Sequence, residues 1–585
     1  MIKLLKRMSK REYAMVSASL VFIIAQVWLD LKMPDYMSAI TKLVQTPDSE
    51  MSEILRNGGY MLLCAVGSMT AAMVTGYFAA RVAAGLSRSL REGVFKKVMQ
   101  FNSEEIGRFS TASLITRTTN DITQVQMIVA MGLQAIIKAP ILLVWAIIKI
   151  SGKQWQWSLA TAAAVLVILI VLVIAVVLAL PKFKVIQRLT DNLNRVTREN
   201  LTGIRVVRAY NAESYQEAKF EKANEELTKT NLFTNRVMAL LMPTMTFVSS
   251  GISLAIYWIG AYLINAANMT ERLSIFSDMV VFSSYAMQVI MAFTLLTMTF
   301  IMLPRVLVSA RRISEVLDTD ISIRDGSIEA PTGTHGKIEF RNVSFRYPEA
   351  ADNTLENISF TVNAGETVAI IGSTGSGKST LVNLIPRFYD ATEGQVLVDE
   401  TDVKDYRMQS LRNRLGYVPQ KAILFSGTVK SNVMYGDNGR KQSQEDMEDA
   451  VSISQSYDFV QKMDGQYDAR IAQGGTNVSG GQKQRLSIAR AICRHAEIYI
   501  FDDTFSALDY KTDRTLRETL NTRLADATKI IVAQRIGTIR NADKIIVLDG
   551  GRMVGLGTHD ELMKTCKTYQ EIARSQLSEE ELKHA

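Results

Sequence analysis

The sequence predicts an α-helical membrane domain of six long transmembrane helices with cytoplasmic extensions, fused to an α/β domain built around a phosphate-binding loop. Three observations predict it. Most of the long apolar runs lie before residue 305. The stretch after residue 336 has an α/β pattern, and within it an apolar strand leads through a glycine-rich loop into a helix. At 585 residues the chain is too long for one ordinary core. Residues 1–315 read as the membrane domain, 316–336 as a linker containing Gly326, Pro331, Gly333 and Gly336, and 337–585 as the α/β domain.

A hydrocarbon core of about 30 Å takes roughly 20 helical residues to cross. Six stretches meet that length, near 13–33, 58–82, 127–149, 157–180, 238–264 and 279–303. The first has no small-residue cleavage pattern, so it reads as a span rather than a cleaved signal. The net charge of +8 comes with Lys and Arg collected beside the spans, not in a basic stripe interleaved with aromatics, which argues against nucleic acid. Lys3, Lys6, Arg7, Lys10 and Arg11 precede span one, and basic residues crowd the loops after spans two and four. The loop after span one is short and acidic (Asp48, Glu50, Glu53), so both termini and the two long loops are expected in the cytoplasm. Cys64, Cys493 and Cys566 are odd in number and far apart, which implies no disulfide framework.

Stretches 84–126 and 182–236 are too long for turns and rich in helix formers. The spans are therefore expected to continue as helices beyond the membrane, with tips that reach a soluble domain; a helix polar all round, such as 185–230, otherwise lacks a reason to be stable. Lys138, two residues before Pro140, stands out as a charge within a span. It either faces a substrate cavity or pairs structurally. Spans five and six are dense in methionine (Met238, Met242, Met245, Met279, Met287, Met291, Met298, Met302) with Ser283, Ser284 and Gln288 among them. Such a mixture suits a cavity for amphipathic molecules, and equally suits ordinary packing and lipid contact.

In the second half, Val368 to Ile371 lead into Gly372, Ser373, Thr374, Gly375, Ser376, Gly377, Lys378, Ser379 and Thr380, which open a helix. This is the phosphate-loop pattern in its required strand–loop–helix context, and it makes the domain a P-loop NTPase fold. Glycines let backbone amides close around phosphate oxygens. Lys378 is placed to reach the β- and γ-phosphates of ATP and Ser379 to ligate Mg²⁺. A second apolar strand, Ile498 to Asp502, ends in an aspartate suited to hold that Mg²⁺ through water. Between the two strands, Ser479, Gly480, Gly481 and Gln482 form a small turn before a basic helix, a further anion site.

Phosphate loop, "VSGGQ" turn and "IYIFDDTFSALD" occur here in the order of ATP-binding cassette domains, and the whole chain resembles an ABC transporter of exporter type. "ENLTGIRVVRAYNAE" in the second long loop is similar to the exporter coupling segment. The resemblance implies that Tyr347 stacks on adenine, that Gln420 senses Mg²⁺ and the membrane domain, and that Ser506, Ala507, Leu508 and Asp509 follow the second strand as a family loop. It also implies that two cassettes pair head to tail, each site joining one chain's phosphate loop to the signature turn of the other.

Two departures stand out. The family has glutamate after the Mg²⁺ aspartate, to polarise the attacking water, where this chain has Asp503; it has histidine beyond the next strand where this chain has Gln534. None of His335, His495, His559 or His584 lies near enough in sequence to substitute. A carboxylate one methylene shorter is withdrawn by roughly an ångström, a displacement that can cost about 100-fold in rate. ATP is therefore expected to bind and to be hydrolysed slowly on this chain's loop, while its intact signature completes a competent site on a partner. This resembles the degenerate-site subunit of heterodimeric bacterial multidrug exporters, in the cell membrane with the cassette in the cytoplasm. A homodimer with two weak sites, a lipid or peptide exporter, and a nucleotide-gated channel or regulator are the alternatives. No cysteine-protease domain precedes span one, which argues against a peptide exporter that trims its cargo, and six spans exclude a soluble nucleic-acid ATPase. Gln473 stands where many exporters carry glutamate.

Overall fold

The computed structural model describes residues 2–46, 49–329, 335–348, 350–437 and 439–576. Asp48, Pro331, Gly333 and His584 lie outside the described residues. Six helices there are long and apolar enough to cross a membrane: Lys10–Gln45, Met51–Met99, Thr111–Ser151, Trp155–Thr202, Glu213–Ala266 and Glu271–Thr299. The sixth continues unbroken, as Met269–Asp318. Each predicted span falls inside one of these helices.

At 1.5 Å per residue, a helix such as Met51–Met99 runs about 70 Å, more than twice the hydrocarbon thickness. Contacts divide the chain into two compact units, Met1–Met99 with Thr111–Thr319, and Gln100–Ser110 with Asp320–Ala585. The tip of the first long loop thus belongs to the second unit. Its short helix Ser103–Phe109 buries Glu105, whose carboxylate accepts the backbone amides of Asn102 (2.8 Å) and Ser322 (2.7 Å). Burial alone raises a carboxyl pKa, but these amide donors outweigh it and hold Glu105 below its ordinary value. The tip of the second long loop, near Ile204–Ala209, remains in the first unit and leaves Leu201, Tyr210 and Tyr215 exposed.

Within the membrane unit the core gathers Ile23, Val27, Leu31, Leu142, Trp157, Ile256, Phe282 and Tyr285 from five of the spans. Large apolar side chains such as Leu166, Val173 and Val177 point outward, as a lipid environment requires. Met279 and Met245 are buried; Met279 packs where Gly260 has no Cβ. Met242, Met287, Met291 and Met298 are exposed. Met287 borders a cavity of about 330 Å³ with Asp30, Met33, Met37, Met61 and Gln288.

Lys138 pairs with Asp30 of the first span at 3.1 Å, which favours the structural role over a free cavity charge. Asp30 also accepts from Ser68, and its backbone carbonyl accepts from Gln288 at 3.1 Å. Lys149 with Asp35 (2.7 Å) adds a further pair between helices, and Lys153, in the turn after the third span, pairs with Asp278 of the sixth (2.5 Å). Charge in the bundle is therefore not confined to Lys138. It is matched across helices, as the penalty for an unpaired ion demands.

The second unit contains strands β1 (Ile338–Phe345), β2 (Leu355–Val362), β3 (Thr367–Gly372), β4 (Glu393–Val398), β5 (Thr401–Asp402), β6 (Leu415–Val418), β7 (Gly427–Thr428), β8 (Arg470–Ile471), β9 (Ile498–Asp502), β10 (Thr528–Val532), β11 (Lys544–Asp549) and β12 (Arg552–Gly557). The main sheet has the order β12-β11-β3-β10-β9-β6, parallel except for β12. Every residue of β9 and β10 is buried, because a parallel sheet is covered on both faces. An antiparallel sheet, β2-β1-β4-β5, packs its apolar face on one side through Phe340, Val343, Ile358 and Val396, and a helical layer with Leu486, Ile488 and Leu516 covers the other.

Removing one partner of a pair leaves the other charge uncompensated in an apolar bundle. Asp30→Ala is expected to lower the melting temperature in lipid nanodiscs by several degrees, and Asp30→Ala with Lys138→Met to recover most of that loss.

Candidate functional site

Because β3, β10, β9 and β6 run parallel and side by side, their carboxyl ends open on one edge of the sheet, where ligands of open α/β folds bind. Val532 is level with Ile370 on one side and Asp502 on the other, and Val418 with Phe501. The loop after β3, Gln534 after β10, Asp502 and Asp503 at the end of β9, and Gln420 after β6 are thereby brought together.

The loop after β3 turns through Gly375 and Gly377, both at positive φ (84° and 94°). A Cβ on Gly377 would also meet Leu355 at 2.7 Å, and one on Gly372 would meet the Leu548 carbonyl, so glycine is required on two counts. Ser373, Thr374 and Gly375 are exposed, while the hydroxyl of Ser376 is buried with no hydrogen-bond partner among the described residues. Such an orphaned donor inside a loop of backbone amides fits a phosphate oxygen. Lys378 folds over the loop and donates to the carbonyls of Gly372 (2.9 Å) and Ser373 (2.7 Å). Burial lowers its pKa; Asp503 and Asp502 oppose that.

Ser379 donates to Asp502 at 2.8 Å. Burial raises the Asp502 pKa, the Ser379 bond pulls it back, and neighbouring Asp503 pushes it up again. A hydroxyl and a carboxylate in contact are hard oxygen donors of the kind Mg²⁺ takes. Gln420 spends its amide nitrogen on Asp503, at 3.2 Å, which leaves its carbonyl oxygen for a metal or water.

The Asp503 oxygen that accepts from Gln420 also accepts from the Gln534 amide at 2.8 Å. Asp503 itself is held at φ 47°, a left-handed conformation that short polar residues tolerate best. Tyr347 bonds Thr380 at 3.0 Å through its hydroxyl and stands edge-on to Tyr389 and Phe345.

Among the described residues, no hydrogen bond joins the signature turn to this cluster. Ser479 caps the helix Gly480–Ile492 in a reciprocal arrangement with Gln482, at 3.3 and 2.9 Å. Ser479 and Gly480 are exposed, and Gly481 lies against the Ala507 carbonyl. Gln473 is exposed as well. Sequence reasoning missed Gln576, which bonds the loop bearing Gln534; an isolated glutamine in a terminal helix carries no motif.

A family model described as the ABC transporter transmembrane region matches residues 16–293, and one described as ABC transporter matches residues 355–506. An ABC transporter ATP-binding protein of Mycobacterium tuberculosis is 40% identical, covering 88% of this chain and 87% of its own. An ATP-dependent lipid A-core flippase of Syntrophus aciditrophicus is 33% identical over 87% and 83% of the two chains. The structure of a bacterial Atm1-family ABC exporter with ATP bound is similar in fold, with a TM-score of 0.79 at 24% identity, over 97% of this chain and 100% of that one.

A folded-state pKa raised above the unfolded one means that the Asp502 carboxylate lowers stability as pH rises through that window. Asp502→Asn is therefore expected to raise the melting temperature of the nucleotide-free protein at pH 7.5. It is also expected to abolish the extra stabilisation that Mg²⁺ adds to ATP, both read by differential scanning fluorimetry.

Proposed function

As the chain belongs to the ABC transporter family, in the exporter architecture that fuses a transmembrane region to an ATP-binding domain, we propose that it is one subunit of a heterodimeric ATP-driven exporter. Its cargo is amphipathic or hydrophobic compounds, drugs among them. Its own ATP site binds nucleotide and is impaired in hydrolysis; its signature turn completes the competent site of the partner.

The observation that carries this reading is the state of Asp503. Its carboxylate is one methylene shorter than glutamate, and one of its two oxygens, Oδ2, accepts amide hydrogens from both Gln420 and Gln534. Both donors tether the carboxylate, so it does not make up the missing methylene by swinging toward an attacking water. Gln534, in the place of the family's histidine, bonds Asp503 and, as a neutral amide, brings no imidazole to a transferring phosphate. Ser479, Gly480, Gly481 and Gln482 meanwhile keep an intact, capped helix start whose Ser479 and Gly480 are exposed.

In the dimer, ATP held between the two cassettes by Lys378, Ser379, Ser376, Tyr347 and the partner's signature turn stabilises the closed state. The long helical extensions carry closure to the spans, which open outward, and hydrolysis at the partner's site resets the cycle. Ser379, Asp502 and Gln420 would hold Mg²⁺, which would neutralise phosphate charge. The exposed Leu201, Tyr210 and Tyr215 at the second loop tip provide an apolar surface for the partner subunit. The basic flanks of the spans place both termini and the ATP-binding domain in the cytoplasm of a bacterial cell. Lipid is a second cargo class, favoured by the likeness to a lipid A-core flippase.

Asp503→Glu with Gln534→His in the purified chain is expected to raise ATP turnover about tenfold or more; turnover unchanged by the pair removes the basis for an impaired site. With the partner present in proteoliposomes, ATP-driven accumulation of an amphipathic dye against its gradient marks a drug pump. Movement of a fluorescent lipid analogue without dye uptake marks the lipid class, and passive leak alone marks a gate.

A further inference from the structure

The helix Lys567–Gln576 ends beside the loop that follows β10. There the side chain of Gln576 makes two hydrogen bonds to one short stretch of backbone. Its Nε2 donates to the Gln534 carbonyl at 2.7 Å, and its Oε1 accepts the Ile536 amide at 2.9 Å. Only a carboxamide supplies a donor and an acceptor side by side in this way, so one side chain satisfies both main-chain groups across a two-residue interval. The same Gln534 donates from its own side chain to Asp503. A continuous path therefore runs from the last described turn of the chain, through the backbone of Gln534, to the carboxylate beside Asp502.

We propose that Gln576 is a positioning residue for this chain's nucleotide site, fixing the loop after β10 so that Gln534 stays in register with Asp503 at the end where a terminal phosphate lies. The proposal rests on the reading of the site as an ATP site, and goes beyond it by assigning a role to the terminal helix. The loop needs such support. Gln534 and Arg535 lie between the end of β10 at Val532 and a one-turn helix, Ile536–Ile539, too short to hold its own start. Arg535 is extended, with φ −106° and ψ 128°, and gives that helix no side-chain cap. Gln576 takes over the capping task from 40 residues away, by accepting the Ile536 amide. Exposure of Gln576 at the rim makes the clamp sensitive to whatever the end of the terminal helix does.

Because the clamp acts on the phosphate end, it affects ATP more than ADP. The test is equilibrium binding of MgATP and MgADP, by displacement of a fluorescent ATP analogue, to the full chain in nanodiscs. Gln576→Ala is expected to weaken MgATP about three- to tenfold and to change MgADP less than twofold. Gln576→Glu retains the acceptor but loses the donor to the Gln534 carbonyl, and is expected to resemble Gln576→Ala. In a Gln534→Ala background, Gln576→Ala is expected to have no further effect on MgATP. Equal weakening of both nucleotides, no weakening of either, or full loss in the Gln534→Ala background overturns the proposal. Failure of the unaltered chain to bind MgATP, or binding that survives Lys378→Ala, overturns the ATP-site reading itself and the clamp with it, a result separable from the first three.

Discussion

One carboxylate oxygen, on Asp503, accepts hydrogen bonds from two glutamine side chains that approach from neighbouring strand ends, and the functional account turns on that contact. Its geometry follows from the sheet. Parallel β6, β9 and β10 end level with one another, so Gln420, Asp503 and Gln534 must meet once each strand stops where it does. With histidine at the last position the same loop would carry a titratable ring; with glutamine it carries a neutral donor, and the nearest acceptor is Asp503. The two departures from the family pattern thus satisfy each other. On the proposed reading, a short carboxylate and an amide stand where the family's longer carboxylate and imidazole attend to water and phosphate.

The same edge separates binding from chemistry. Lys378, Ser379 and the glycine turn depend on β3 and the helix after it, and on the close approach of Leu355 and Leu548. None of the hydrogen bonds that Lys378 and Ser379 make among the described residues involves Asp503, although its charge reaches Lys378. On the proposed reading, the groups that bind nucleotide stay in place while the group at position 503 changes. That is the arrangement expected of a subunit whose nucleotide acts chiefly through its presence. The signature turn, held by its own cap rather than by the phosphate loop, is independent in turn.

How much was legible in the sequence differs between the halves for physical reasons. Spans announce themselves because lipid demands a run of about 20 apolar residues whatever their neighbours are. Phosphate loops announce themselves because phosphate demands glycine at fixed spacing. Asp30, by contrast, is one acidic residue near the end of an apolar run, and its importance appears only when the third span brings Lys138 within 3.1 Å. Met33, Met37 and Met61 lie on spans one and two, outside the methionine-dense region, and join Met287 at a cavity only through packing. Gln576 is the extreme case: its contact at 42 residues' separation depends on where a terminal helix docks, which no local pattern encodes. The fate of Gln534 was likewise hidden, since a residue type tells what group is missing but not what the replacement will bond.

Charge pairs in the spans and the amide pair at Asp503 share one principle. A polar group removed from water takes the nearest partner that satisfies it, and function follows from which partner that is. For Asp503 the partners are the amides of Gln420 and Gln534. The most direct measurement is the chemical identity of nucleotide retained on this chain after a single exposure to MgATP, with unbound nucleotide removed and the bound fraction resolved by ion-exchange chromatography. The account predicts that the bound nucleotide is still overwhelmingly ATP after many minutes; bound ADP accumulating within seconds on the chain alone would contradict it.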